Sequence, residues 1–128
     1  MISFGSPGTQ TEVTRTIEVE ASDSMRFKPA TIRVKRNEVV RFVVTNIGKI
    51  AHEFSIGDVA TQRAHAKMMM SMPDMKHEDD QTTITIEPGQ SKTLIWKFDR
   101  WPAGPIEIGC HVPGHYEAGM RARIVLAK

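Results

Sequence analysis

The chain is poor in several features that define large classes of protein. It has one cysteine, Cys110, among 128 residues, so an intramolecular disulfide is excluded. It lacks an apolar run of about 18 residues, so we expect no membrane span. Its first ten residues, MISFGSPGTQ, lack the basic start and apolar stretch of a signal peptide. Neither sign of charge dominates, because 17 basic and 15 acidic residues leave a net charge of +2, which argues against a nucleic-acid partner.

The sequence also lacks the motifs of common enzyme classes. There is no His-Glu-x-x-His, no phosphate-binding glycine loop and no nucleophile elbow. A structural zinc site would favour more cysteine or histidine. We therefore expect a protein that is not an enzyme, with a Cys-His hydrolase as the alternative that residue types alone leave open.

What the sequence does contain is alternation of apolar and polar residues with a period of two. In TRTIEVEA, the residues Ile17, Val19 and Ala21 share one face. The pattern recurs in the segments TIRVK, VVRFVVTN, TTITIE, KTLIWKF, PIEIGC and MRARIVLAK. Half-buried strands at this spacing predict an all-β fold, a Greek-key β-sandwich or barrel.

Two segments depart from the alternation. Asp58 to Met72, DVATQRAHAKMMMSM, is rich in helix formers, begins with a capping aspartate and is followed by Pro73. It predicts one short inserted helix near residues 58–72. Residues 1–10 are rich in Gly, Ser, Pro and Thr and predict a flexible N-terminal leader, which leaves a single domain over residues 11–128.

Strand parity directs three metal-binding side chains to one place. Cys110 shares parity with Ile106 and Ile108, so its thiol is predicted to point inward at the end of a strand. Met120 shares parity with Ala122 and Ile124 at the start of the next strand, and His52 shares parity with Phe54 and Ile56.

The connection between the two C-terminal strands, CHVPGHYEAGM, adds a fourth side chain. Its Pro113-Gly114 pair allows a tight turn that returns His115 toward Cys110. Two imidazoles, one thiolate and a weak axial thioether are the ligand signature of a type 1 copper site. The sequence therefore predicts one such site per chain, able to hold Cu(I) and Cu(II).

With VTNIGKIAHEF upstream and C-x4-H-x4-M downstream, the chain resembles the cupredoxin family, which includes azurin, plastocyanin and rusticyanin. Within it, the helical insert and PGHYEAGM look most like bacterial periplasmic cupredoxins linked to copper tolerance. The resemblance implies His52, Cys110, His115 and Met120 as metal ligands, and Asn46 as the residue that ties the two ligand loops together. It also implies a periplasmic monomer that meets a transient redox partner near His115, where Val112, Pro113 and Ala118 form an apolar surround.

Two biological roles follow from the resemblance. The first is one-electron transfer between larger redox proteins. The second is copper handling, with an additional copper site in the Met/His-rich stretch, at Met72, Met75 and His77, because thioethers select Cu(I). The methionines could instead fill the core. We expect His111, whose parity is opposite to that of Cys110, and His65 to face solvent.

Overall fold

The computed structural model describes residues 2–72 and 79–127 of the chain. The described residues contain the α-helix α1 (Val59–Ser71), a single 3-10 turn (Gln10–Glu12) and ten strands. The strands are β1 (Ser6–Pro7), β2 (Arg15–Ser22), β3 (Arg26–Lys28), β4 (Thr31–Val34), β5 (Val39–Asn46), β6 (His52–Asp58), β7 (Thr83–Ile86), β8 (Ser91–Lys97), β9 (Ile106–Gly109) and β10 (Arg121–Leu126). Within these ranges, no helix has the length and apolar character needed to cross a bilayer.

The described strands form two five-stranded sheets packed face to face. Their orders are β1-β8-β5-β2-β3 and β4-β10-β9-β6-β7. The pairs β2–β5 and β4–β10 are parallel, and the other pairs are antiparallel. Inward side chains of both sheets, among them Phe42, Trp96 and Ile108, are fully buried. The structure thus confirms the predicted all-β sandwich with one short helix.

Helix α1 lies on the outer face of the second sheet. Its N-cap is Asp58, whose side chain accepts a hydrogen bond of 2.8 Å from the Thr61 N–H. The Gln62 side chain, 1% exposed, donates to the carbonyls of Ser55 in β6 and Glu107 in β9, at 2.9 Å each. Because α1 covers this face, β6 is buried on both sides. Pro73, which we expected to end the helix, lies outside the described residues.

The first residues pack on the sandwich, which differs from the loose leader that their composition predicts. Phe4 is 4% exposed and its ring stacks on Trp96 with centroids 5.4 Å apart. The Trp96 indole N–H donates to the Phe4 carbonyl at 3.0 Å, and β1 pairs with β8. A single aromatic side chain, Phe4, anchors this stretch of small residues. Burial of its ring stabilises the packed conformation by more than the weak preference of its neighbours for a loose one.

Candidate metal centre

Cys110 follows β9 directly and is completely buried. Its Sγ accepts a hydrogen bond from the Glu53 N–H of β6 at 3.2 Å, which links the two strands at the sulfur. Burial raises the pKa of the Cys110 thiol to about 12, despite the opposing hydrogen bonds from Glu53 and Val112. Without a metal, this thiol is therefore protonated at neutral pH.

His52 begins β6 and is also completely buried. Its Nδ1 lies 3.9 Å from the Cys110 Sγ. Its other nitrogen, Nε2, lies 2.8 Å from Oδ1 of Asp23, which sits in the turn between β2 and β3. Asp23 thus holds the imidazole by the nitrogen that points away from the sulfur. Nδ1 is the nitrogen that faces Cys110.

His115 returns to Cys110 as the Pro-Gly turn predicted. Gly114 adopts a positive φ of 88°, which favours glycine, and the His115 N–H donates to the Val112 carbonyl at 2.9 Å. The His115 Nδ1 lies 3.4 Å from the Cys110 Sγ, and the residue is 9% exposed. Burial, followed by the neighbouring His52, lowers the pKa of His115, which favours the neutral imidazole that binds metals.

Met120 closes the loop and is completely buried. Its N–H donates to the His115 carbonyl at 3.0 Å, and its carbonyl accepts from the Cys110 N–H at 3.1 Å. Residues 110–120 therefore form a loop whose own backbone hydrogen bonds hold its two ends and its histidine together.

The donor atoms of His52, Cys110 and His115 all lie within 4.8 Å of one another. Across residues 2–72 and 79–127, this is the only such group of three His, Cys, Asp or Glu donors. Two imidazole nitrogens and one sulfur, with a buried methionine beside them, make a donor set that fits copper. The structure brings the four predicted residues into one region of the fold.

Asn46 fastens the loop before His52. Its side-chain Nδ2 donates to the carbonyls of Ile50, at 2.8 Å, and Ile86, at 2.9 Å, and its Oδ1 accepts from the Gly48 N–H. These bonds join the loop to β7. A direct link between the two ligand segments is the hydrogen bond from the Glu53 N–H to the Cys110 Sγ.

His111 and His65 are not the solvent-facing residues that we expected. His111 does point away from Cys110's side of the strand, but it is 1% exposed. Its ring stacks on those of His65, at 4.2 Å, and Tyr116, at 4.8 Å, and its Nε2 contacts the Gln62 Oε1 of α1. For His111 the expectation was wrong because α1 covers the outer face of this sheet, and for His65 because its ring packs from α1 onto that of His111.

Glu53 completes this buried polar group and was not singled out from the sequence. It is 3% exposed, and its Oε1 lies 3.4 Å from the His65 Nε2. Burial raises the pKa of Glu53 to about 7, against the lowering effect of the His111 backbone N–H. Opposite parity to His52 should place Glu53 outward, and only the helix above it explains the burial.

The Met/His-rich stretch is described in part. Met72 is 48% exposed, Met70 is 55% exposed and Met69 is 6% exposed, so consecutive methionines divide between surface and interior. Met75 and His77 lie outside the described residues. The second copper site therefore stays a prediction.

The sequence of the chain was compared with those of known proteins to identify its family. Residues 13–127 match the family of copper binding proteins described as the plastocyanin/azurin family. The chain is 46% identical over 123 residues to the copper-resistant cuproprotein CopI of Rubrivivax gelatinosus, covering 96% of this chain and 73% of that protein. It is 36% identical over 153 residues to CopI of Pseudomonas aeruginosa, covering 97% and 82%.

The fold has a match among solved structures. Auracyanin B superposes with a TM-score of 0.72 at 22% identity, covering 97% of this chain and 96% of that one. At this identity the likeness shows the fold alone. Together with the family match over residues 13–127, it leads to one conclusion: the chain is a copper-binding cupredoxin and belongs to the plastocyanin/azurin family.

Proposed function

We propose that His52, Cys110, His115 and Met120 hold one copper ion in a type 1 site. The observation that carries the proposal is the convergence of two histidines and the only cysteine within 4.8 Å in a buried place. Copper held there would supply reversible one-electron chemistry. The chain's own part is to exclude water, aim Nδ1 of both histidines at the sulfur and keep the donors in place when the oxidation state changes.

We propose that this site serves copper tolerance in the periplasm. The support is that three relatives, at 36–46% identity, carry the name copper-resistant cuproprotein. One-electron transfer is the second candidate, and the preassembled donor set favours it, because little rearrangement is needed on oxidation. In that case a transient partner docks on the surface at His115, where Val112 and Pro113 are half-buried and Ala118 is exposed.

We further propose that the protein catalyses no hydrolysis. A cysteine nucleophile must reach its substrate and ionise easily. Cys110 is completely buried and its thiol pKa is raised to about 12, so both conditions fail in the metal-free protein.

Titration of the apo protein with Cu(II) tests the site. We expect an intense thiolate-to-copper band that saturates at one equivalent and is absent from Cys110→Ser, while far-UV circular dichroism of the variant stays that of a folded sandwich. A variant that keeps the band would remove Cys110 from the ligand set. Copper bound beyond one equivalent, and lost on replacement of Met72, Met75 and His77, would establish the additional site.

Copper tolerance is tested separately in cells. The chain, exported to the periplasm of a copper-sensitive bacterium, should raise the copper concentration that stops growth, and Cys110→Ser should not. Equal protection by both proteins at equal abundance would leave electron transfer as the better account.

A further inference from the structure

Asp23 contacts His52, one of the four proposed copper ligands, and is not itself a proposed ligand. Its Oδ1 lies 2.8 Å from the His52 Nε2, and its Oδ2 accepts the Lys49 N–H at 2.7 Å. One carboxylate therefore holds both the imidazole of a proposed ligand and the backbone just ahead of it. The Lys49 N–H meets one oxygen of this carboxylate and the His52 ring meets the other, so both oxygens face hydrogen-bond donors.

The contact fixes which imidazole nitrogen carries the proton. An ionised carboxylate only accepts hydrogen bonds, so Nε2 must be the protonated nitrogen of a neutral His52. Nδ1 is then left with its lone pair directed to the Cys110 side, 3.9 Å from the sulfur. A neutral imidazole bound through one nitrogen is the form that a metal requires.

The surrounding loop is built closely around this carboxylate. Gly48 lies against Asp23, and a Cβ at position 48 would overlap the carboxylate oxygen and carbon. Asn46 binds the Gly48 N–H at 2.8 Å and so sets the loop from the other side. The His52 ring is completely buried, whereas the Asp23 side chain is 38% exposed. The loop thus offers a preorganised, partly solvated negative charge to one edge of a buried ring.

We propose that Asp23 is a positioning residue for the copper site, which orients His52 and favours Cu(II) over Cu(I) there. The inference rests on the proposed function, since it needs His52 as a ligand. A carboxylate on the outer nitrogen makes the imidazole a stronger electron donor. It also adds a negative charge near the metal, and the additional charge of Cu(II) is stabilised more than that of Cu(I).

The test uses the full chain loaded with copper. Asp23→Asn keeps the size of the side chain and one acceptor oxygen but removes the charge. Glu20→Gln is the matched control, because it removes one exposed carboxylate from the preceding strand β2. We expect the reduction potential to rise in Asp23→Asn and Cu(II) affinity to fall by about tenfold or more, with Cu(I) affinity less affected and Glu20→Gln close to wild type.

A second readout needs no copper. In the apo protein, ¹H–¹⁵N correlation spectra of the imidazole should show His52 as the Nε2–H tautomer in the wild type. In Asp23→Ala the tautomers should mix. A reduction potential equal to wild type in Asp23→Asn, or a fixed tautomer in Asp23→Ala, would overturn the proposal. Failure of the wild-type protein to form the thiolate-to-copper band would instead overturn the copper site itself, so the two failures are distinguishable.

Discussion

At the scale of single residues, the burial of Cys110 determines the protonation state of the thiol that we propose as a copper ligand. The thiol pKa of about 12 means that the apo protein holds a proton on sulfur at every pH of biological interest. Metal binding must displace this proton. We expect copper affinity to rise by about tenfold per pH unit between pH 7 and 9, one proton being released per ion. Competition titrations against a chelator at several pH values measure this slope, and a slope near zero would show that the apo thiol is already ionised.

Glu53 gives a second prediction at this scale. Burial raises its pKa to about 7 in the folded protein, from the ordinary 4.5 of a glutamate, so the fold favours its protonated form. The contribution to stability is therefore present below about pH 4.5 and is lost as pH rises toward 7. In Glu53→Gln the apo protein should be more stable at pH 8 by about 2 kcal/mol, with a flatter pH dependence. Urea unfolding across this range tests it, and equal pH profiles in the two proteins would contradict it.

Strand-parity arguments correctly predicted the direction of side chains that lie within a regular strand or at its end. They placed Cys110, Met120 and His52 inward because each belongs to a regular strand or its end. They could not find Asp23, which lies 29 residues from His52 and meets it only through the folded arrangement of the two sheets. Nor could they show that His111 and Glu53 are buried, because parity gives direction and says nothing about what covers the outer face.

At the scale of elements, the Gln62 side chain binds helix α1 to the outer face of the second sheet. Gln62 donates to two strand carbonyls, and its Oε1 is contacted by the His111 Nε2. Gln62→Ala would remove the hydrogen bonds that the Gln62 side chain makes to these buried groups. We expect a loss of about 2–4 kcal/mol in the free energy of unfolding.

Arg63→Ala is the matched control for Gln62→Ala, because Arg63 is the next residue of α1 and is exposed. It should change stability by less than about 0.5 kcal/mol. Equal losses in the two variants would show that the buried hydrogen bonds of Gln62 do not determine the effect.

The elements themselves were largely readable from the sequence. Eight strands follow the period-two segments or His52 to Ile56, and the helix begins after the capping aspartate, because amphipathic strands and caps are local signals. The pattern did not reveal β1 and β3, since strands of two and three residues are too short to show a period. It also did not reveal that β6 is buried on both sides, as its glutamate, serine and glycine suit an exposed face.

At the scale of the whole molecule, the N-terminal residues are part of the sandwich. Phe4 is buried against Trp96 and its carbonyl accepts the indole N–H. Phe4→Ala should reduce stability by about 3 kcal/mol and shift the fluorescence of Trp96 to longer wavelength. The exposed Gln10, replaced by Ala, should leave both unchanged. An unaffected Phe4→Ala protein would restore the view of this stretch as a loose leader.

The order of the strands belongs to this scale and was not predictable. Alternation indicates two layers, but it does not say that β2 lies parallel to β5, with Ala21 opposite Asn46. That pairing brings the turn after β2 beside the loop before His52. The Asp23 contact is thus a consequence of topology, whereas the convergence of Cys110, His115 and Met120 is a consequence of one short loop.

The closed loop of residues 110–120 has a consequence for inheritance. Its backbone bonds among Cys110, His115 and Met120 are internal, so three of the four proposed donors travel together as one contiguous piece of chain. Genetic exchange of this piece between related sandwiches would transfer most of a metal site in a single event. The recipient would contribute the remaining histidine, the amide that binds the sulfur and the carboxylate behind the imidazole. Descendants could therefore share a loop and still differ in redox behaviour.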